Sequence, residues 1–411
     1  MNKGALYIIQ TLRDAGFEAY FAGGWVRDLL LGHPSDDIDI ATSASTAQVM
    51  ALFPRTIPVG IAFGIVIVVV HNEQYEVATF RKDLEYKDGR YPEGIEASNA
   101  LEDAKRRDFT INGMFYDPIE QVIHDYVEGR KDLEARVIRT IGDPHERFNE
   151  DRLRILRAVR FASRLQFPIE SETESAILKY APSLLQSVSV ERIWQELEKI
   201  ALFPGLDRAI LELHRLNLLG SIFPELENIN RSKLEGLVLP FKHFPKNTPF
   251  FIYLIHLLAD LNEKAIESLG KRYKLSNAQV KLAQFVWKTG KLVAETKQGN
   301  VPENIEWVRS YAHPDFPRAL LIAAANHIDT YEEIIQFHET KRSSLQPHIG
   351  RLQNKTPLIT SALLAQQGIQ PGKAMGELLR HAERLEANYG LHTAEEVLQL
   401  LKKLGYWPKE S

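Results

Sequence analysis

The sequence predicts an α+β protein, with a mixed α/β head over roughly the first 145 residues and an all-helical remainder. Three observations predict it. Strand-like alternation and β-branched runs occur only before residue 142. Beyond that point nearly every segment has 3.6-residue apolar periodicity, broken at Pro168, Pro204-Gly205, Pro224, Pro240, Pro302, Pro314, Pro347, Pro357 and Pro371-Gly372. The length of 411 residues also exceeds one ordinary core, and at roughly 100–200 residues per domain it implies two to four folded units.

Taken in order, residues 3–15 space Leu6, Ile8, Ile9 and Leu12 for a helix that Gly16 ends. Phe17 to Phe21 reads as a short strand, broken by Gly23-Gly24. Asp36 to Ala41 alternates acidic and apolar residues, the period of a half-buried strand. Gly60 to Gly64 is a turn into Ile65 to Val70, which is β-branched throughout and reads as a central strand. Tyr75 to Phe80 alternates again, and Val122 to Tyr126 is the last strand expected. Between them, Arg81 to Lys105 is polar and contains DGRYPEG, whose glycines and proline mark a loop. Asp143-Pro144-x-Glu146 then starts the helical region, with Asp as N-cap, Pro at the first helical position and Glu reaching back.

Composition narrows the chemistry. The 50 Lys+Arg and 54 Asp+Glu leave a net charge of −4, so a polyanionic partner must be met by a local basic surface. Cysteine is absent, which excludes a disulfide scaffold, a zinc ribbon, an iron–sulfur cluster and thiol catalysis, and fits a reducing cytoplasm. Arg13 and Asp14 interrupt the first apolar run before a signal-peptide core forms, and Ile65 to Val70 falls far short of the ~20 residues of a spanning helix. The expectation is a cytoplasmic protein without a membrane segment.

Four clusters could carry chemistry. Asp37 and Asp39, beside Asp36, sit two apart on an expected strand and so share a face. Paired hard-oxygen ligands of this kind suit Mg²⁺, the alternative being an exposed strand face. Upstream, Gly23-Gly24 leads into Arg27 and Asp28 at a strand-to-helix junction, where backbone N–H groups can approach a phosphate and Arg27 can contact a triphosphate. No Gly-Lys-Ser/Thr follows, and there is no GxGxxG. Lys105-Arg106-Arg107 leads into an apolar segment, at an element boundary where a phosphate or base contact is plausible. Finally, Glu150-Asp151-Arg152-Leu153-Arg154 continues to Arg157 and Arg160, with Asp151 and Arg154 as i,i+3 neighbours if the run is one helix. A salt-bridged surface is the alternative, but the apolar Leu153, Ile155, Leu156, Ala158, Val159 and Phe161 favour arginines that face a cleft. Glu76 is a candidate third carboxylate, or else a hydrogen-bonded edge residue.

Read together, GGWVRDLLLG (23–32), DDIDIAT (36–42), EVATFR (76–81), RRDFTINGM (106–114), DYVEGRKDLEARVIRTIGDP (125–144) and EDRLRILRAVRF (150–161) resemble the successive motifs of class II tRNA nucleotidyltransferases. These are the CCA-adding enzymes, which share their fold with bacterial poly(A) polymerases. The resemblance runs through residues 20–235. It implies a nucleotidyltransferase head (1–142), a base-selecting neck (143–205), a helical body (206–300) and a tRNA-binding tail (301–411). By position it implies Asp37 and Asp39 as catalytic Mg²⁺ ligands, Gly24 and Arg27 as triphosphate contacts, and Arg107, Asp151, Arg154, Arg157 and Arg160 as nucleotide-binding side chains. Glu76 falls where the family often has a third acid.

The implied activity is template-free addition of CCA to tRNA 3′ ends from CTP and ATP. Edge chemistry agrees with it. A carboxylate such as Asp151 accepts from the amino group that C and A share, an arginine such as Arg154 donates to the ring nitrogen beside it, and U and G reverse both groups. One departure is Arg90-Tyr91-Pro92-Glu93, where the family often carries Arg-Arg-Pro-Asp in a loop that accompanies the switch from C to A addition. Competing readings are a poly(A) polymerase or a partial CC- or A-adding enzyme of the same fold, and, from another class, a non-catalytic RNA-binding relative.

Overall fold

The structure, a computed structural model, describes residues 2–33, 35, 37–83, 94–258 and 261–407. Asp36 and the loop residues from Asp88 to Glu93, with their Arg90-Tyr91-Pro92-Glu93 run, lie outside the described residues. The chain divides into two compact units, one up to Gly236 and one from Leu237.

The first unit opens with α1 (Lys3–Asp14), whose N-cap Asn2 accepts from the backbone N–H groups of Gly4 and Ala5. Its buried face carries Ala5, Ile8, Ile9 and Leu12, and Gly16 leaves it at φ +86°. Then follow β1 (Ala19–Ala22), α2 (Gly24–Leu30), β2 (Asp39–Thr42), α3 (Thr46–Leu52), β3 (Thr56–Ile57), β4 (Ile65–Val70) and β5 (Glu73–Thr79). Next come β6 (Arg81–Asp83), β7 (Ile95–Ala97), α4 (Ala100–Lys105), β8 (Phe115–Asp117), β9 (Val122–His124) and α5 (Gly129–Glu134). Seven strands form one mixed sheet in the order β3-β4-β5-β2-β1-β8-β9, with β2 and β5 parallel and the other pairs antiparallel.

Two expectations change here. The β-branched β4 is not central but lies one strand in from the β3 edge, and β2 takes the middle. The stretch from Arg81 to Lys105 is not loop throughout: β6 pairs with β7, and Asn99 caps α4 by accepting from the Glu102 N–H. Tyr20, Ala22, Ala41, Phe80, Ala100, Ala104 and Phe115 pack as one apolar cluster on the sheet. Phe80 and Phe115, both fully buried, each contribute about 1.5–3 kcal/mol relative to exposure.

Helices complete this unit: α6 (Pro144–Glu150), α7 (Arg154–Leu165), α8 (Ser171–Tyr180), α9 (Leu184–Ser187), α10 (Val190–Ala201), α11 (Leu206–Arg215) and α12 (Leu218–Ile222). Asp143 caps α6 by accepting from the His145 N–H, with Pro144 in the first turn. The run from Glu150 to Arg160 is not one helix. Asp151 ends α6 in an extended conformation (φ −150°, ψ 105°), and a new helix begins at Arg154. Ile155, Leu156, Ala158, Val159 and Ala162 bury α7, which packs against α10 and α11.

The described residues of the second unit form helices and turns without a strand, from Phe250–Leu257 to Ala394–Lys403. One core gathers Trp307, Tyr311 and Phe316, and another Leu364, Leu378, Leu385, Val397 and Leu401. No helix among the described residues is long and apolar enough to cross a membrane.

Candidate active site

The ladder sets Ala22 of β1 opposite Asp39, so Gly23 and Gly24 leave the sheet beside that carboxylate. On the other side Ile40 pairs with Val77, which brings Glu76, one position earlier, level with Asp39. Asp37 stands just outside β2, which begins at Asp39, but the alternation of exposed Asp37, buried Ile38, exposed Asp39 and buried Ile40 runs through it. It lies in the approach, where its N–H donates to Ser35 Oγ at 3.2 Å. The three acids nevertheless act on one another. Burial first, then the charges of Glu76 and Asp37, push the Asp39 carboxyl up to about 6 against the pull of Arg107. Glu76 is also raised, by burial and then by Asp37. All three remain open to solvent at the surface.

Gly23 holds φ 68°, ψ −130°, a conformation that L-residues avoid. A Cβ there would come within 2.9 Å of Arg107 Nη1, so that guanidinium lies over the turn. Asp103 on α4 holds Arg107 from behind, accepting from Nε at 3.2 Å and Nη2 at 3.0 Å, and the guanidinium also sits 5.0 Å from the Phe115 ring centre. Burial would raise the Asp103 carboxyl, but Arg107 and Arg106 bring it below the usual range, so it stays charged.

Arg27, expected as a triphosphate contact, is buried beneath the turn. It is 2% exposed, donating from Nε to Asp28 at 2.8 Å and from Nη1 to Asn112 at 2.6 Å. Its guanidinium lies behind the glycine turn, 3.5 Å from where a Gly24 Cβ would stand.

The neck arginines of α7 each meet a carboxylate. Arg157 donates from Nε to buried Asp108 at 2.7 Å, and Arg160 from Nε to buried Glu196 at 2.9 Å. Arg154 meets Glu150 and donates to the carbonyls of Arg147 (3.1 Å) and Arg106 (3.3 Å). Burial would raise Asp108, but Arg157 brings it below the ordinary carboxylate range. Asp151 lies in the helix break, accepting from the Leu153 N–H at 3.0 Å and from Arg192 Nη2 at 2.7 Å. The charges of Asp108, Glu196 and Asp151 all bear on Arg157, so these groups form one neighbourhood.

Sequence assigned no role to Asp28 or Asp108, which lie within the clusters it named, and did not single out Asp103, Asn112, Arg164, Arg192 or Glu196. Asp28 joins Arg27 to Arg164 of α7 (3.0 Å), and Asn112 joins Arg27 to Asp108 (3.3 Å). The i,i+4 spacing of Asp103 with Arg107 was the available signal.

Among the described residues no three His, Asp or Glu side chains are grouped to cage an ion. A hard divalent cation needs less: such an ion binds through one or two carboxylates and completes its shell with water and substrate phosphates. Two solvent-open aspartates, neither in a direct ion pair among the described residues, fit that donor set.

A family profile described as "Poly A polymerase head domain" matches residues 19–139, and one described as "Probable RNA and SrmB- binding site of polymerase A" matches residues 166–230. The CCA-adding enzyme of Enterococcus faecalis is 34% identical over 405 residues, covering 96% of this chain and 94% of that protein. The CCA-adding enzyme of Anoxybacillus flavithermus is 50% identical over 225 residues, but that alignment covers 54% of this chain and spans a little over half (56%) of the relative. The Bacillus stearothermophilus CCA-adding enzyme in complex with CTP superposes with a TM-score of 0.79 at 31% identity, covering 98% of both chains.

Proposed function

From the premise that this chain belongs to the CCA-adding enzymes, we propose that it adds CCA to tRNA 3′ ends from CTP and ATP. The observation that carries the reading is the meeting of Asp37, Asp39 and Glu76 with the Gly23-Gly24 turn and Arg107 around the start of the central strand β2, in a chain alike to these enzymes along nearly its whole length.

The reaction joins the RNA 3′ oxygen to the α-phosphorus of the nucleotide and breaks the bond to the β-phosphate, releasing pyrophosphate. Asp37 and Asp39 would hold Mg²⁺, which when bound supplies electrostatic stabilisation of charge developing on the phosphates. The glycine turn offers backbone N–H groups to the triphosphate, and Arg107 adds a fixed positive charge over the turn. Arg27 keeps that turn in shape from below. Asp151 and Arg154 read the base edge, while Arg157 and Arg160, oriented by Asp108 and Glu196, line the nucleotide pocket. In this reading the head is 1–142, the neck 143–205, the body 206–300 and the tail, which holds tRNA, 301–411. Absence of cysteine supports a reducing cytoplasm as its location.

The test is incubation with tRNA ending before CCA, with CTP and ATP separately and together, and product lengths read on a sequencing gel. Addition of CC with CTP alone and of CCA with both is the expected outcome. A ladder of many A residues, CC alone, A alone or no extension would each replace this reading by a different one.

A further inference from the structure

We infer that Arg192 determines nucleotide specificity by positioning Asp151, an inference that rests on the reading of Asp151 as the base-selecting carboxylate. Asp151 stands in a helix break, where its backbone is extended. Two contacts, one to each oxygen, fix its carboxylate: the Leu153 N–H at 3.0 Å on Oδ1 and Arg192 Nη2 at 2.7 Å on Oδ2. One bond alone would let the carboxylate swing about it; two together set its plane. Each oxygen keeps a lone pair for an incoming donor. Discrimination between an amino group and a carbonyl depends on that plane, because a carboxylate that turns away presents neither attraction to C and A nor repulsion to U and G.

The placement of Arg192 is not explained by its own packing. Its Nη1 is buried without a hydrogen-bond partner among the described residues, a cost that such groups seldom carry without a purpose. The side chain is 17% exposed and comes from α10, forty-one residues along the chain from Asp151. One turn further on the same helix, Glu196 holds Arg160 at 2.9 Å and Lys199 at 2.8 Å. Helix α10 is therefore the wall that orients a neck acid through one residue and a neck arginine through another.

The experiment is a double-mutant cycle on the full chain, with kcat and KM for CTP, ATP, UTP and GTP on tRNA ending before CCA. Arg192→Met is expected to lower selectivity for CTP over UTP about tenfold or more, chiefly through a raised KM for CTP. Arg192→Lys, which keeps a cation on Asp151, is expected to hold selectivity within about threefold. In an Asp151→Asn background, Arg192→Met is expected to change the ratio by less than about twofold, because the group it positions is gone. A structural role alone would lower all four nucleotides together and would multiply with Asp151→Asn; either result overturns the inference, as does unchanged selectivity in Arg192→Met. If Arg192→Met does not fold, Arg192→Gln is read in the same cycle with the same criteria. Unchanged selectivity in Asp151→Asn alone overturns the reading beneath and this inference with it. Loss in Asp151→Asn but not in the Arg192 variants overturns this inference only.

Discussion

Replacing Asp39 with Asn should make the metal-free protein more stable while it abolishes catalysis. The folded carboxyl is pushed up to about 6 from an ordinary 3.8, first by burial and then by the charges of Glu76 and Asp37. An acid raised on folding binds its proton more tightly in the native state. Its charge is therefore a liability that is absent below about pH 3.8, grows as pH rises to about 6 and is constant above. For a fully enclosed group the shift would correspond to about 3 kcal/mol. Asp39 is open to solvent, and screening reduces this to about 1 kcal/mol. Asn keeps the shape and removes the charge. Urea unfolding in EDTA at pH 8 should show a midpoint higher by about 0.3 M for the variant, given a slope near 3 kcal/mol/M. The gain should fall to about half at pH 5 and vanish near pH 3.5. With millimolar Mg²⁺ the wild type alone should gain stability, and CMP transfer by the variant should drop by about a thousandfold or more. A variant no more stable than wild type at pH 8, or one with the same gain at pH 8 and pH 4, would refute the argument that three like charges converge at this strand end.

Three further outcomes follow from the same geometry. Asp37→Ala should lose transfer to a similar degree while tRNA affinity, measured by filter binding, stays within a few-fold, since Asp37 is exposed and would act only through the cation. Gly23→Ala forces a side chain into φ 68° and within 2.9 Å of Arg107 Nη1, so KM for CTP and ATP should rise together by about tenfold, corresponding to about 1–3 kcal/mol of strain. Asp108→Ala removes the carboxylate whose Oδ2 meets both Nε and Nη2 of Arg157 (2.7 and 2.6 Å) and leaves that guanidinium only the nearby charges of Glu196 and Asp151. Arg157 is 35% exposed, so the loss in urea unfolding should be about 2 kcal/mol, below the 3–5 typical of a fully buried pair, with little dependence on salt.

What could be read from the chain and what could not divides along physical lines. Local signals held: Gly16 ends the first helix, Asp143 caps α6, and the alternation around Tyr75 to Phe80 is a strand. Strand order was not legible, because the β-branched run Ile65 to Val70 reports burial and stiffness rather than position, and β4 lies next to a two-residue edge strand. The acidic cluster was legible, but the strand was drawn too long: β2 begins at Asp39, and Asp37 stands in the approach to it. In the neck, helical spacing suggested that Asp151 and Arg154 were neighbours on one helix, and the break at Asp151 undoes that. The deepest omission was the counter-charges. Asp108, Glu196 and Arg192 lie 49, 36 and 41 residues from the groups they hold, a pairing that no local pattern encodes.

Arg157 and Arg164 are seven residues apart on α7, which brings them back to nearly the same rotational position two turns on. One is tied to Asp108, the other to Asp28, and Arg27 and Asn112 close the line between those two acids. A helix held by two such knuckles, and by Arg160 on Glu196 between them, cannot slide along its axis, roll about it or tilt away without breaking a charged pair. The glycine turn and the neck thus behave as the two jaws of a gauge with a set opening. A purine and a pyrimidine would be measured by the same jaws, and admitting the larger ring would have to stretch or break one of these pairs.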